Sequence, residues 1–66
     1  MTVDIDIGRE ATRIIGQYGR EAASFAARCA IELAGEGDDK GALAWCQIHN
    51  VIVLLQAERT LGEWLN

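Results

Sequence analysis

The stretch DKGALAWCQIHNVIVLLQAERTLGEW, residues 39–64, decides the fold of this chain. It contains no proline, and its apolar residues recur with helical rather than alternating spacing. The β-branched run at residues 51–53 has no helix breaker on either side. We therefore expect one long C-terminal helix over residues 39–64.

The apolar residues of this helix form two faces instead of one. At about 100° per residue, one face is predicted to comprise Ala44, Trp45, Ile48, Val51, Ile52 and Leu55. The second face is predicted to comprise Leu43, Cys46, Val53, Leu54, Ala57, Leu61 and Trp64. A helix that is apolar nearly all round has to be covered nearly all round. The rest of this short chain can cover one face easily and the other only in part, so the second face is a candidate interface.

Two shorter helices are predicted before it, over residues 5–18 and 20–34. The first has an apolar arc consisting of Ile7, Ala11, Ile14, Ile15 and Tyr18. Gly19 can adopt the left-handed conformation that ends helices, so we expect a break there rather than one continuous helix. The second has a predicted core stripe of Ala22, Phe25, Ala26, Cys29 and Leu33. A neighbouring row of Ala23, Ala27, Ala30 and Ala34 either allows close helix packing or simply favours helix.

The connection at residues 35–38 reads as a tight loop between antiparallel helices. Gly35 is predicted to end the second helix, and an Asp is predicted to cap the third. These features predict an all-α fold: a small three-helix unit in which two shorter helices pack antiparallel on a long C-terminal helix. The unit occupies one domain, residues 1–66, and dimerisation is a way to complete it.

Length and charge limit what such a chain can do. It has 66 residues, with six Lys and Arg against ten Asp and Glu, giving a formal net charge of −4. This acidic balance argues against a nucleic-acid partner. The sequence has no apolar run long enough to span a membrane and no leader-like N-terminus, so we expect a cytoplasmic location with free thiols. A core this small supplies about 3–5 kcal/mol, which association with a homo-oligomeric or other protein partner would increase.

The chain has one plausible set of chemically active side chains: Cys29, Cys46 and His49. They could be drawn as part of a zinc site or as a nucleophile and its base. The spacing lacks paired C-x-x-C motifs, and the predicted unit offers little room for a water-excluding cleft. We therefore expect no catalytic, cofactor-binding or metal-binding residues, no cofactor, no small-molecule substrate and no enzymatic activity.

One broader pattern runs from Ile14-Ile15 and Tyr18-Gly19 through the alanine-rich middle to Trp45, Ile48, Ile52 and Leu55. In this pattern the chain resembles a family of short all-helical proteins of unknown function found in alphaproteobacterial genomes. The resemblance covers roughly residues 11–57 and implies a bacterial, compact helical unit without implying an activity. Cys29, Cys46 and His49 are not part of the shared pattern.

The sequence thus favours a non-catalytic interaction module or accessory subunit that self-associates or binds a partner through the C-terminal helix. Five residues are the contact candidates: Val53, Leu54, Leu61, Trp64 and Leu65. The alternative is a small regulator that binds DNA or masks a basic partner, in the manner of a transcriptional regulator or an antitoxin.

Overall fold

A computed structural model describes the backbone of residues 3–65 and the side chains of residues 7–59. It contains helix α1 (Val3–Tyr18), a 3₁₀ turn (Gly19–Glu21), helix α2 (Ala22–Gly35) and helix α3 (Asp39–Leu65). No strand occurs in the backbone that the structure describes. The all-α prediction is confirmed, and α3 begins at the predicted residue.

The predicted three-helix unit is not confirmed, because the break expected at Gly19 does not separate α1 from α2. Helical structure continues from Val3 to Gly35 through the 3₁₀ turn, so the described backbone forms two uninterrupted helical segments. Gly19 does take the predicted left-handed conformation, with φ +55°. The side-chain amide of Gln56 on α3 donates to the Gly19 carbonyl at 2.8 Å, which ties this turn to α3. A single left-handed glycine can therefore redirect the chain while the helical turns continue on both sides.

The end of α2 has the hydrogen bonds of a Schellman motif. The amide of Asp38 donates to the Leu33 carbonyl at 2.9 Å, and that of Gly37 donates to the Ala34 carbonyl at 3.1 Å. Gly37 is left-handed, with φ +86°, whereas Gly35 is the last residue of α2. The helix thus ends one residue beyond the predicted residue 34, and the left-handed glycine that follows it is Gly37 instead of Gly35. Both glycines can adopt this conformation, and the closing hydrogen bonds select Gly37.

Asp38 then caps α3, as the sequence predicted for an Asp in this loop. Its carboxylate Oδ1 accepts a hydrogen bond from the Gly41 amide at 3.0 Å. A β-carbon at Gly41 would lie 2.9 Å from Asp38 Cγ and 3.1 Å from Leu33 Cδ1. The cap and the end of α2 thus need the space that a glycine leaves at this position.

The core lies where α1 and α2 meet one side of α3. Its buried residues are Ile7, Ala11, Ile14, Ala22, Ala26, Ile48 and Ile52. The most extensive helix packing is between α2 and α3. Ala22, Ala26 and Ala30 are the buried residues of α2, and their small side chains allow the two helices to approach closely.

This packing corrects the stripe predicted for α2. Phe25, Cys29 and Leu33 are only half-buried, while Ala30, which was assigned to the neighbouring alanine row, is buried. The larger side chains flank the alanine contact instead of lying in it. Phe25 stacks on Tyr18 with ring centroids 4.2 Å apart and meets the edge of Trp45 at 5.7 Å.

Two residues predicted to face the core are more exposed than expected. Tyr18 is 43% exposed, although its ring stacks on Phe25 at the margin of the core. Leu55 is 39% exposed, because the buried contact on α3 is confined to a narrow strip around Ile48 and Ile52.

Candidate interaction surface

One side of α3 remains uncovered by the rest of the chain. We call it the outer face and define it by seven exposed residues: Leu43, Cys46, Gln47, Asn50, Val53, Leu54 and Ala57. Leu43 and Leu54 are 60% and 62% exposed, and Val53 is 43% exposed. Ile48 and Ile52 on the opposite side are buried. The two faces predicted for this helix are thus present over its described side chains, with the core on one of them.

The predicted contact residues divide into two groups. Val53 and Leu54 are exposed on the outer face, where a partner could reach them. Leu61, Trp64 and Leu65 lie outside the residues whose side chains the structure describes. That any of the five contacts a partner stays a prediction.

Two apolar residues that are more than half exposed, Leu43 and Ile31, were not among those candidates. Leu43 belongs to the second predicted face of α3 and is 60% exposed. Ile31 on α2 is 72% exposed. Its signal was the presence of an isoleucine beside the charged residues Arg28 and Glu32 on the solvent side of that helix.

The outer face forms a ridge with a groove on each side. Between α2 and α3 lies a groove of about 220 Å³, lined by Ala27, Ala30, Ile31, Cys46, His49 and Asn50. Between α1 and α3 lies a groove of about 360 Å³, lined by Ile7, Gln47, Asn50 and Val51. Asn50 borders both grooves and therefore marks the crest of the ridge.

The ridge carries no formal charge along most of its length. Residues 41–57 contain no Asp, Glu, Lys or Arg, although much of this segment faces solvent. Charged residues return only at its two ends, as Asp39 and Lys40 before it and Glu58 and Arg59 after it. This segment therefore offers no Lys or Arg side chain to a polyanion such as nucleic acid.

The candidate chemical residues do not form a metal site. Cys46 and His49 line the same groove, but Cys29 is not part of its lining. Among the described side chains, no group of three or more His, Cys, Asp or Glu residues is placed to hold a metal ion. Burial raises the pKa of the half-buried Cys29 thiol, the nearby Glu32 raises it further, and Arg28 acts in the opposite direction.

The chain matches no protein family, no curated protein and no solved structure. Within the part of the chain that the structure describes, no helix has the length and apolar character needed to cross a membrane.

Proposed function

We propose that this chain is a non-catalytic helical interaction module that self-associates through the outer face of α3. The observation that carries the proposal is the exposure of Leu43, Val53 and Leu54 on a segment without charged residues. Burying apolar surface of this kind is favourable by about 25 cal/mol per Å². In the proposed dimer, α3 of the second copy completes the helical unit.

The total exposed area of the chain supports association with a second copy of the chain. The chain exposes 5101 Å², whereas a compact monomer of its mass would expose about 4,100 Å². The excess of about 1,000 Å² is comparable to the roughly 800 Å² that each partner buries in a protein–protein interface of ordinary size. The radius of gyration, 12.7 Å, likewise exceeds the value of about 11 Å expected for a compact domain of this length.

The small core supports the same proposal. Among the described side chains, four of the eight buried apolar residues are alanines, whose methyl groups contribute little apolar area. A partner that binds only the folded form adds its binding free energy to the stability of the fold. We further propose that the module functions in a reducing cytoplasm without a cofactor, which agrees with its acidic composition and two free cysteines.

Light scattering coupled to size exclusion tests this function. The wild-type chain of 7.2 kDa is expected to elute with twice its own mass, and Leu54→Glu is expected to elute as a single copy. Ser24→Glu is the control, because it adds the same charge at an exposed position of α2 outside the outer face. Self-association that persists unchanged in Leu54→Glu, or a wild-type chain that stays a single copy at every concentration, would overturn the proposal.

The same variants also distinguish the DNA-binding alternative. We expect no retardation of duplex DNA in a gel, because the chain has a net charge of −4. A gel shift that weakens as salt rises, and that Leu54→Glu leaves intact, would favour the alternative regulator.

A further inference from the structure

The exposed residues along the crest of α3 follow a regular spacing. Positions 43, 47, 50, 54 and 57 alternate steps of four and three residues, which is the repeat of a coiled-coil seam. We call these five residues the seam: Leu43, Gln47, Asn50, Leu54 and Ala57. All five are exposed. The spacing continues in the sequence to Leu61 and Trp64, outside the described side chains.

The seam lies on the side of α3 opposite its core contacts. Trp45 and Ile52, which are also seven residues apart, lie on the side of α3 that faces α1 and α2. Trp45 is half-buried there and Ile52 is buried. A second helix can therefore lie along the seam without displacing either α1 or α2. This geometry separates the folding contact of α3 from its association contact.

From this pattern we propose that α3 of a second copy pairs antiparallel along the seam. In the proposed register, Leu43 lies opposite Leu54 of the second copy, and Gln47 lies opposite Asn50 of the second copy. The proposal rests on the self-association proposed above and adds to it the orientation and register of the two helices.

Matching of side-chain chemistry selects this register. It places leucine against leucine, and it places two amide side chains where each can donate to and accept from the other. A shift of one heptad would place Asn50 against Leu54 of the second copy. That arrangement would bury an amide without a partner, which is unfavourable.

Charge selects the antiparallel orientation. In this register Lys40 of one copy lies near Glu58 of the other, and two-fold symmetry creates the contact twice. A parallel pair would instead place Lys40 beside Lys40 and align the two helix dipoles in the same direction. In the antiparallel arrangement each Lys40 thus lies near a carboxylate of the second copy instead of beside another Lys40.

Disulfide crosslinking tests the orientation in a Cys29→Ala, Cys46→Ala background. We expect a mixture of the Leu43→Cys and Leu54→Cys variants to form mainly the mixed disulfide under mild oxidation. Each variant alone is expected to crosslink poorly, because residue 43 of each copy would be about 16 Å from the other along the helix axis, beyond the reach of a disulfide. Rapid crosslinking of Leu43→Cys alone, with little mixed product, would overturn the antiparallel arrangement.

Introducing opposite charges at two seam positions tests the register without oxidation. Gln47→Glu alone and Asn50→Lys alone are each expected to weaken dimerisation by about tenfold or more, because each leaves charges buried without an opposite partner. The double variant is expected to recover most of that loss, since each Glu would face a Lys of the second copy. A double variant that dimerises no better than either single variant would contradict the register.

These experiments separate the two proposals. A wild-type chain that never dimerises contradicts the proposed function itself. If the wild-type chain dimerises but the Leu43→Cys and Leu54→Cys variants each crosslink mainly to themselves, only the antiparallel arrangement is contradicted.

Discussion

The two sides of α3 carry similar apolar residues but have opposite environments. Ile48 and Ile52 on one side are covered by α1 and α2, whereas Leu43 and Leu54 on the other side remain more than half exposed. The hydrophobicity of a residue therefore does not decide its burial in this helix. Burial is decided by which side the first helical segment can reach.

The largest expected effect concerns the covered side. Ile52 is fully buried, so Ile52→Ala is expected to lower the free energy of unfolding by about 2–5 kcal/mol. Ile52→Val, which removes one methylene, is expected to cost about 0.5–1.5 kcal/mol. Denaturant unfolding of dilute chains measures both values. The matched control is Leu54→Ala, which should leave the stability of the isolated chain nearly unchanged.

If Leu54→Ala destabilised the dilute chain as much as Ile52→Ala, the distinction between the two sides of α3 would be wrong. Leu54 would then contribute to the fold of a single copy instead of to association.

The next largest effect on stability is expected at the connection between α2 and α3, where Asp38 caps α3. Gly41→Ala is expected to destabilise the fold by about 1–2 kcal/mol, because the new methyl group collides with the Asp38 cap and Leu33. Gly16→Ala is the control, since its β-carbon would meet nothing within 4 Å. That control is expected to stabilise α1 by up to about 1 kcal/mol. Thermal unfolding of both variants checks the contrast, and equal behaviour would contradict the packing at this connection.

A smaller difference, which can be measured in the wild-type chain, is expected between the reaction rates of its two thiols. Cys46 is exposed on the outer face, while Cys29 is half-buried and has a raised pKa. At pH 8 an alkylating reagent is expected to modify Cys46 several-fold faster than Cys29 in dilute protein. Because Cys46 flanks the seam, its rate should fall as concentration rises and dimers form, whereas the Cys29 rate should stay constant. Peptide mass analysis over a concentration series measures both rates.

A Cys46 rate that is independent of concentration, in samples whose mass shows dimers, would place the association surface elsewhere.

The smallest expected effect lies on α1, away from both sides of α3. The Arg13 guanidinium hydrogen-bonds the Glu10 carboxylate and lowers the Glu10 pKa below its ordinary value near 4.5. A lowered folded-state pKa stabilises the fold above that ordinary value, and the contribution disappears as the pH falls through the folded-state pKa. The pair is exposed, so Glu10→Gln is expected to change stability only slightly at pH 7 and not at all at low pH. Unfolding curves at both pH values test this, and a large effect at low pH would contradict it.

The sequence predicted much of this architecture because its signals are local. The helical periodicity and lack of proline in α3, the Asp cap and the left-handed conformation of Gly19 all depend on a few neighbouring residues. The helical continuity across Gly19 was not predicted, and the contact of this turn with Gln56, which is 37 residues away, is not a local feature of the sequence.

The candidate surface was predictable in part. The sequence identified two apolar faces on α3, and Leu54 was correctly expected to be exposed. The exposure of Leu55 and the burial of Ala30 depend on how closely α2 approaches α3. The residue pattern of a single helix does not give that distance. That Cys29 does not line the groove shared by Cys46 and His49 also depends on how the helices assemble.

Sedimentation equilibrium of the wild-type chain over a wide concentration range tests the central claim most directly. The outer face of α3 is expected to drive a reversible transition from one copy to two, and Leu54→Glu is expected to abolish it. A wild-type chain that remains folded and sediments as a single copy up to millimolar concentration would contradict the claim.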